Sequence, residues 1–163
     1  ASIREIIKGP PDVAFEIFTF GRIPLAISAR CAHARSKGHI KDNCQFVCAE
    51  EPDGLPVKTL DSQSFLALNG VQTLSHTCQA LIEDIPELKA VGVARFRLSP
   101  QDCDMVAVAK VHHDVLHERI DTEEGLARLQ AIYPTVSHSN AFPHGCFGAA
   151  WGRRPKTASG LHS

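Results

Sequence analysis

Residues 13–20 have the sequence VAFEIFTF, and this stretch indicates the kind of fold that the chain adopts. Apart from Glu16 and Thr19, its side chains are apolar and of types that favour extended backbone. A short apolar run of this composition predicts a buried β-strand. Gly21 and Arg22 follow and predict a turn, after which residues 23–28 continue in extended form.

Two further strand signals follow along the chain. Residues 65–68 and 71–74 flank Asn69-Gly70, which predicts either a type I′ hairpin or a strand that ends in a turn. Residues 91–98 alternate, and the alternation predicts a strand with two unlike faces. One face holds Ala94, Phe96 and Leu98, and the other holds Arg95 and Arg97.

Helical signals separate these strands. Residues 78–85 have apolar side chains at helical spacing and predict a helix that ends at Pro86. Ser99 is a suitable N-cap with Pro100 after it, which predicts a helix through residue 115. Asp121 predicts the cap of a final helix that runs to Pro134. Strands alternating with helices indicate an α/β domain with parallel strands.

The length and charge of the chain limit the function classes. Its 163 residues are 44% hydrophobic, with 17 basic and 18 acidic side chains, so we expect one globular domain. No apolar run is long enough to span a membrane, and no secretory signal is visible, so we expect a cytoplasmic protein. The near-neutral net charge disfavours general nucleic-acid binding. Residues 3–8 resemble the end of a helix stopped by Gly9-Pro10-Pro11, which predicts that the chain was cut from something longer, unless only the initiator Met is missing.

Three of the six cysteines form the most informative cluster. Eighteen residues contain three of them: Cys31, Cys44 and Cys48. They lie in a polar stretch with little periodicity at residues 29–56, called here the cysteine segment. Such a long irregular loop favours a functional role, and three thiols there favour a soft metal, either zinc or iron in a sulfide cluster. Cys44 and Cys48 are spaced to ligate from one helical turn. The spacing leaves either metal one ligand short, and inert or redox-active thiols are the alternative.

Other candidate residues give weaker signals. His33 and His39 lie inside the cysteine segment and could either bind the metal themselves or hydrogen-bond to a residue that does. A solvated helix surface is the simpler interpretation of three histidines on one predicted helix, His112, His113 and His117. Arg95 and Arg97 could bind an anion at a strand end or could simply be exposed. We expect Cys78 in the core, whereas Cys103 and Cys146 stay undecided. The sequence has no nucleophile elbow and no HExxH helix, so peptidase chemistry is disfavoured.

Four stretches of the sequence closely resemble the UbiV family, within the collagenase-like peptidase superfamily. They are EIFTFGRIPLAISARC at 16–31, KDNC at 41–44 with Cys48, LNGVQTLS at 68–75 and RLSPQ at 97–101. The resemblance covers about residues 11–110, and its specific part is the cysteine spacing. The ending around Cys146 is only faintly similar to the aromatic, Gly-rich end of the superfamily.

This resemblance implies a fold, a cofactor and partners. It implies the C-terminal portion of a TIM-type barrel, a fold that usually needs about 250 residues, with barrel elements in residues 1–120 and a helix and irregular tail in 121–163. It implies a four-iron, four-sulfur cluster with Cys31, Cys44 and Cys48 as three ligands and the fourth ligand outside this chain. It also implies a heterodimer with a UbiU-like paralogue, and possibly a UbiT-like lipid-binding accessory protein, in oxygen-independent ring hydroxylation during ubiquinone biosynthesis. Two alternatives stay open at this point: an RNA-modifying hydroxylase of the same superfamily and a zinc-stabilised, non-catalytic module.

Overall fold

The computed structural model describes residues 3–9, 12–140 and 142–152. Five helices are present in this part of the chain: α1 (Ile3–Ile7), α2 (Ala32–Ser36), α3 (Ile85–Ala90), α4 (Met105–Leu116) and α5 (Thr122–Ile132). Six strands accompany them: β1 (Glu16–Ile27), β2 (Leu55–Lys58), β3 (Ser64–Asn69), β4 (Gln72–Ala80), β5 (Arg95–Leu98) and β6 (His138–Ser139). Short 3₁₀ turns lie at Lys41–Asn43, Val47–Glu50, Ile82–Asp84 and Phe142–His144.

The strands form one mixed sheet. Its order is β2-β3-β4-β1-β5, with β6 beside the second half of β4. The α/β class is confirmed, but the predicted parallel sheet is wrong, because β2, β3, β4 and β1 pair with antiparallel neighbours and only β1–β5 and β4–β6 are parallel. The physical reason is that the chain between β1 and β5 returns through hairpins, whereas parallel neighbours need crossover connections. Within the described residues this sheet is open.

The first predicted strand is longer and less buried than expected. β1 runs through Gly21 and Arg22 to Ile27, so the predicted turn at these two residues is wrong. β4 pairs with the strand on both sides of Arg22, and this long-range pairing overrides the local turn signal. The register shifts on either side of Pro24, so the strand bends there without breaking. Burial is complete only around Thr19, Phe20 and Gly21.

Strands β3 and β4 form the predicted hairpin, but the turn lies one residue later than expected. Asn69 pairs with Gln72, so Gly70 and Val71 are the two loop residues. Gly70 has a φ of 59° and Val71 is not among the residues with positive φ, whereas a type I′ turn needs positive φ at both positions. The type I′ alternative is therefore wrong.

The helix predicted over residues 78–85 is wrong. Cys78 lies in β4, and only the end of the segment forms a 3₁₀ turn. Pro86 lies in the first turn of α3, where its missing N–H costs no hydrogen bond, so it marks a helix start instead of a helix end. The misleading signal arises because residues 77–82 are all buried, which removes the alternation that identifies a strand.

The two long helices differ in how well their starts were predicted. Asp121 caps α5 as expected, accepting a hydrogen bond from the Glu124 N–H at 2.7 Å. Helix α4 begins at Met105 behind the cap Asp104, so the predicted cap at Ser99 is wrong. Ser99 instead packs against Gly21, where an added Cβ would lie 2.7 Å from the Ser99 Cβ. Tertiary packing thus decides between two residues that are both able to cap.

The hydrophobic core lies between the sheet and the two long helices. Its fully buried members are Phe20, Cys78, Ala80, Ile82, Ile85, Val108, Val111, Val115, Leu129 and Tyr133. Phe96 and Leu98 pack against this core as predicted, but Ala94 is exposed and precedes β5. Helix α1 confirms the predicted N-terminal helix, whereas the predicted stop at Pro10 and Pro11 and the tail beyond residue 152 lie outside the described residues.

None of the helices in the described ranges has the length and apolar character needed to cross a membrane.

Candidate functional site

Cys31 is fixed between helix α2 and the β3–β4 hairpin. It is the N-cap of α2, and its Sγ accepts a hydrogen bond from the Ala34 N–H at 3.3 Å. The same thiol donates to the carbonyl oxygen of Gly70 at 3.2 Å. The side chain is buried, with 8% of its surface exposed. To ligate a metal this thiol would have to lose the proton that it gives to Gly70, as metal-bound cysteines do.

Cys44 and Cys48 lie on two separate 3₁₀ turns. Cys44 closes the first turn and Cys48 lies in the second, and both are half-buried. Between them Gln45 and Phe46 both adopt left-handed backbone, with φ of 53° and 54°. Non-glycine residues rarely adopt this conformation, and two in succession interrupt any helical turn. The two thiols therefore do not share one helical turn, contrary to the prediction.

A buried histidine ties the two ends of the cysteine segment together. His33 has no exposed surface, and its Nδ1 lies 3.1 Å from the carbonyl oxygen of Leu68 while its Nε2 lies 2.7 Å from Glu51 Oε2. Both ring nitrogens of His33 therefore have hydrogen-bond partners inside the fold. Lys37 adds a bond to Glu51 at 2.9 Å. The hydrogen bonds from Lys37 and His33 lower the pKa of the Glu51 carboxyl.

The donor set suits a soft metal in its chemistry, since three thiols occur in one short segment. Among the described residues, however, no group of three or more His, Cys, Asp or Glu side chains is arranged to hold a metal ion. The assignment of Cys31, Cys44 and Cys48 as ligands stays a prediction. His39 lies half-buried just after α2, and its backbone N–H donates to the Ala34 carbonyl oxygen at 2.9 Å.

The other cysteines lie in different surroundings. Cys78 is a core residue, as predicted, and burial raises the pKa of its thiol to about 12. Cys103 lies half-buried between β5 and α4, 3.8 Å from the Met105 sulfur, and burial is the main cause of its raised pKa. Cys146 is exposed. Only Cys31, Cys44 and Cys48 thus share a segment.

The histidines predicted on one helix do not share one environment: His112 and His113 lie in α4, and His117 is its C-cap. His112 is buried and its Nδ1 donates to the Val108 carbonyl oxygen at 2.9 Å. Burial lowers the pKa of His112. The rings of His113 and His117 lie side by side with centroids 4.3 Å apart, and the His113 side chain is about half exposed. His113 and His117 are exposed, which agrees with the predicted solvated surface, whereas that prediction is wrong for the buried His112.

A cleft of about 450 Å³ borders the end of the cysteine segment. It lies beyond the carboxyl end of β5 and beside the middle of β1, between the β3–β4 hairpin and the loop that leads to α4. Its polar lining consists of Arg22, Asp53, Asn69, Gln72, Arg97, Ser99 and Gln101. Arg97 was expected at a strand end, and it pairs there with Glu16 at 2.5 Å. Arg95 is exposed and does not line the cleft.

Sequence reasoning missed the remaining polar residues of this cleft. Arg22 belongs to the predicted Gly21-Arg22 turn, and Asp53 lies near the end of the predicted loop at residues 29–56. These residues are far apart along the chain, so no short motif joins them. The available signal was the Gly21-Arg22 pair in a β-rich stretch, because a glycine inside a strand marks a bulge or a close backbone approach.

In a comparison with known protein families, the family model described as Peptidase family U32 matches residues 1–138 of this chain. The matched range includes the cysteine segment and every residue that lines the cleft. No solved structure matches the chain.

Proposed function

This chain belongs to peptidase family U32, and we propose that it is the iron–sulfur component of an oxygen-independent hydroxylation system in ubiquinone biosynthesis. The spacing of Cys31, Cys44 and Cys48 is the observation that carries the proposal. Three thiols that close together, in a polar segment, supply the soft donors that iron–sulfur clusters require. Proteolysis is not part of this proposal.

The contacts around the cysteine segment support a binding role. The bonds from His33 and Lys37 to Glu51 hold α2 against the turn that contains Cys48. Cys31 is held from the other side by the Gly70 carbonyl oxygen. The segment is therefore ordered at both ends, while Cys44 and Cys48 keep partly exposed thiols. When bound, a four-iron, four-sulfur cluster supplies one-electron transfer.

The fourth ligand and the partner belong to the same proposal. We infer that a cysteine outside this chain completes the cluster and that the chain is the C-terminal portion of a TIM-type barrel. The parallel pair β1–β5 fits such a portion, whereas the antiparallel strands β2, β3 and β4 would lie outside the repeating pattern of the barrel. In this proposal the protein acts as a heterodimer with a UbiU-like paralogue, and a UbiT-like lipid-binding protein is a possible accessory in the same pathway.

Metal analysis of the full-length protein, purified without oxygen, tests the proposal. We expect iron and acid-labile sulfide in nearly equal amounts and loss of both in the variants Cys31→Ala, Cys44→Ala and Cys48→Ala. Cys103→Ala and Cys146→Ala are the matched controls and should keep the cluster. A colourless protein that contains zinc and is unaffected by Cys31→Ala would refute the cluster.

A second measurement tests the pathway. In a strain that lacks the gene, the wild-type protein should restore ubiquinone synthesis under anaerobic growth and Cys44→Ala should not. Normal anaerobic ubiquinone in the deletion strain, or altered tRNA and rRNA nucleosides there instead, would contradict the proposed pathway.

A further inference from the structure

We propose that the cleft beside Arg22 binds a small organic anion that joins a flat apolar ring to a carboxylate. The proposal goes beyond the proposed function and does not rest on the cluster. It rests on three features of the cleft: its position in the fold, its charged side chains, and the volume bounded by its apolar side chains.

The position of the cleft is typical of ligand sites in α/β folds. It lies beyond the carboxyl end of β5, whose neighbour β1 is parallel to it, and the loop after β5 forms one side of the cleft. Gly21 lets the loop at Ser99 approach β1 closely, and the irregular pairing around Pro24 turns the strand beside the cleft. Bulges of this kind are common next to active sites.

Arg22 is anchored by hydrogen bonds from one guanidinium nitrogen, while its Nε–H makes none among the described residues. Its Nη1 donates to the carbonyl oxygens of Ser75 and His76, at 3.0 and 2.5 Å, so the guanidinium is anchored to β4. In the part of the chain that the structure describes, the Nε–H of Arg22 is buried and has no hydrogen-bond partner. A buried donor without a partner is costly, and an anionic oxygen would satisfy it.

The remaining charges of the cleft favour an anion. Arg97 is a second cation, although Glu16 partly neutralises it. Asp53 is the one acidic side chain in the lining, and both of its oxygens are already engaged. Its Oδ1 accepts from the Asp102 N–H at 2.6 Å, and its Oδ2 accepts from the Tyr133 hydroxyl. These two bonds hold the carboxylate in place and occupy two of its four or so acceptor positions.

The apolar wall indicates the rest of the ligand. Phe18, Leu74 and Leu98 line the cleft together with polar groups such as Gln72 and Gln101. An apolar wall with a few polar groups is the usual composition of a small-molecule site. An apolar cavity of about 150 Å³ holds benzene, so the cleft of about 450 Å³ has room for a ring and its carboxylate.

Calorimetric titration of the full-length protein with benzoate tests this inference. We expect benzoate to bind, while benzyl alcohol, which keeps the ring without the charge, and inorganic phosphate, which keeps the charge without the ring, bind at least about tenfold more weakly. Arg22→Gln should weaken benzoate binding by about tenfold or more. Arg95→Gln is the matched control and should bind as the wild type does, because Arg95 is exposed and does not line the cleft.

A second variant keeps the test decisive if Arg22→Gln does not fold. Gln101→Glu places a negative charge in the cleft on the loop after β5, removes the two local bonds that the Gln101 amide donates to the Ser99 and Pro100 carbonyl oxygens, and should also weaken benzoate binding. Absence of benzoate binding at millimolar concentration, equal binding of phosphate, or unchanged binding to Arg22→Gln and Gln101→Glu would overturn the inference. The same titration with the Cys31→Ala protein separates the two proposals, since benzoate binding should persist when the cluster is lost.

Discussion

Asp53 accepts a hydrogen bond from the hydroxyl group of Tyr133, a residue 80 positions later in the chain. Asp53 lies near the end of the cysteine segment, and Tyr133 closes helix α5 inside the core. The other carboxylate oxygen of Asp53 accepts the Asp102 N–H, just before α4. One side chain thus ties the cysteine segment to both long helices. Burial and the bond to Asp53 both raise the pKa of Tyr133.

We expect Tyr133→Phe to destabilise the fold by about 1–2 kcal/mol, because it leaves an acceptor of Asp53 without its donor. Urea denaturation of Tyr133→Phe, Asp53→Ala and the double variant measures the coupling between the two side chains. The double variant should lose clearly less than the sum of the two single losses. Additive losses would mean that the hydrogen bond contributes nothing to stability.

Gly21 and Gly70 both have positive φ, but only Gly21 is crowded. At Gly21, with φ of 121°, an added Cβ would lie 2.7 Å from the Ser99 Cβ, whereas at Gly70, with φ of 59°, nothing lies within 4 Å. We therefore expect Gly21→Ala to cost more than about 2 kcal/mol, from strain plus overlap. Gly70→Ala is the matched control and should cost only about 1 kcal/mol. Equal losses of unfolding free energy in the two variants would contradict the close approach of Ser99 to β1.

Local signals in the sequence were reliable where local chemistry decides the structure. Asp121 caps α5 as predicted, since the cap needs only its own neighbours. The apparent turn at Gly21-Arg22 failed because β4 pairs across it. The helix predicted from Cys78 failed because complete burial of residues 77–82 hides the strand period. Each failure is a case in which tertiary packing overrides a local preference.

The candidate site shows the same contrast between local signals and long-range packing. The cysteine segment was visible in the sequence because its three thiols lie close together along the chain. The cleft was not visible, because Arg22, Asp53 and Gln101 meet only through the sheet topology and the hydrogen bonds of Asp53. The interruption between Cys44 and Cys48 was also unpredictable, since neither Gln45 nor Phe46 is a residue type that signals left-handed backbone.

Gly125 provides a test of the packing between α4 and α5. A Cβ there would lie 2.6 Å from Val115 Cγ2 and 3.2 Å from Ile82 Cγ1. Replacing a helical glycine by alanine usually stabilises a helix by about 1 kcal/mol, but overlap in a packed core costs about 1–3 kcal/mol. We expect Gly125→Ala to lower the melting temperature and Val115→Ala to restore part of the loss when combined with it. A more stable Gly125→Ala protein would show that the helices are not in close contact.

The thiols of Cys78 and Cys146 should differ widely in reactivity. Cys78 is fully buried with its pKa raised to about 12, whereas Cys146 is exposed. Since the thiolate is the reactive form, iodoacetamide should modify Cys146 at least about a hundredfold faster than Cys78 in the folded protein. Peptide mass spectrometry after timed labelling measures both rates. In concentrated urea the two rates should converge, and a similar difference there would argue against burial as its cause.

His112 should make the protein less stable in acid. Burial lowers its pKa below the ordinary value of 6.5, and its Nε2 is buried without a hydrogen-bond partner among the described residues. The unfolded chain therefore takes up a proton at a higher pH than the folded protein does. The stability associated with neutral His112 is fully present above the unfolded pKa and is lost as the pH falls through 6.5 toward the lower folded pKa.

Urea denaturation of the wild type at about pH 7.5 and about pH 5.5 should show a loss of unfolding free energy that is smaller in His112→Gln. His113→Gln is the matched control, because the neighbouring His113 side chain is half exposed, and it should lose as much stability in acid as the wild type. An unchanged acid response in His112→Gln would mean that other groups, such as His138 with its similarly lowered pKa, account for the whole effect.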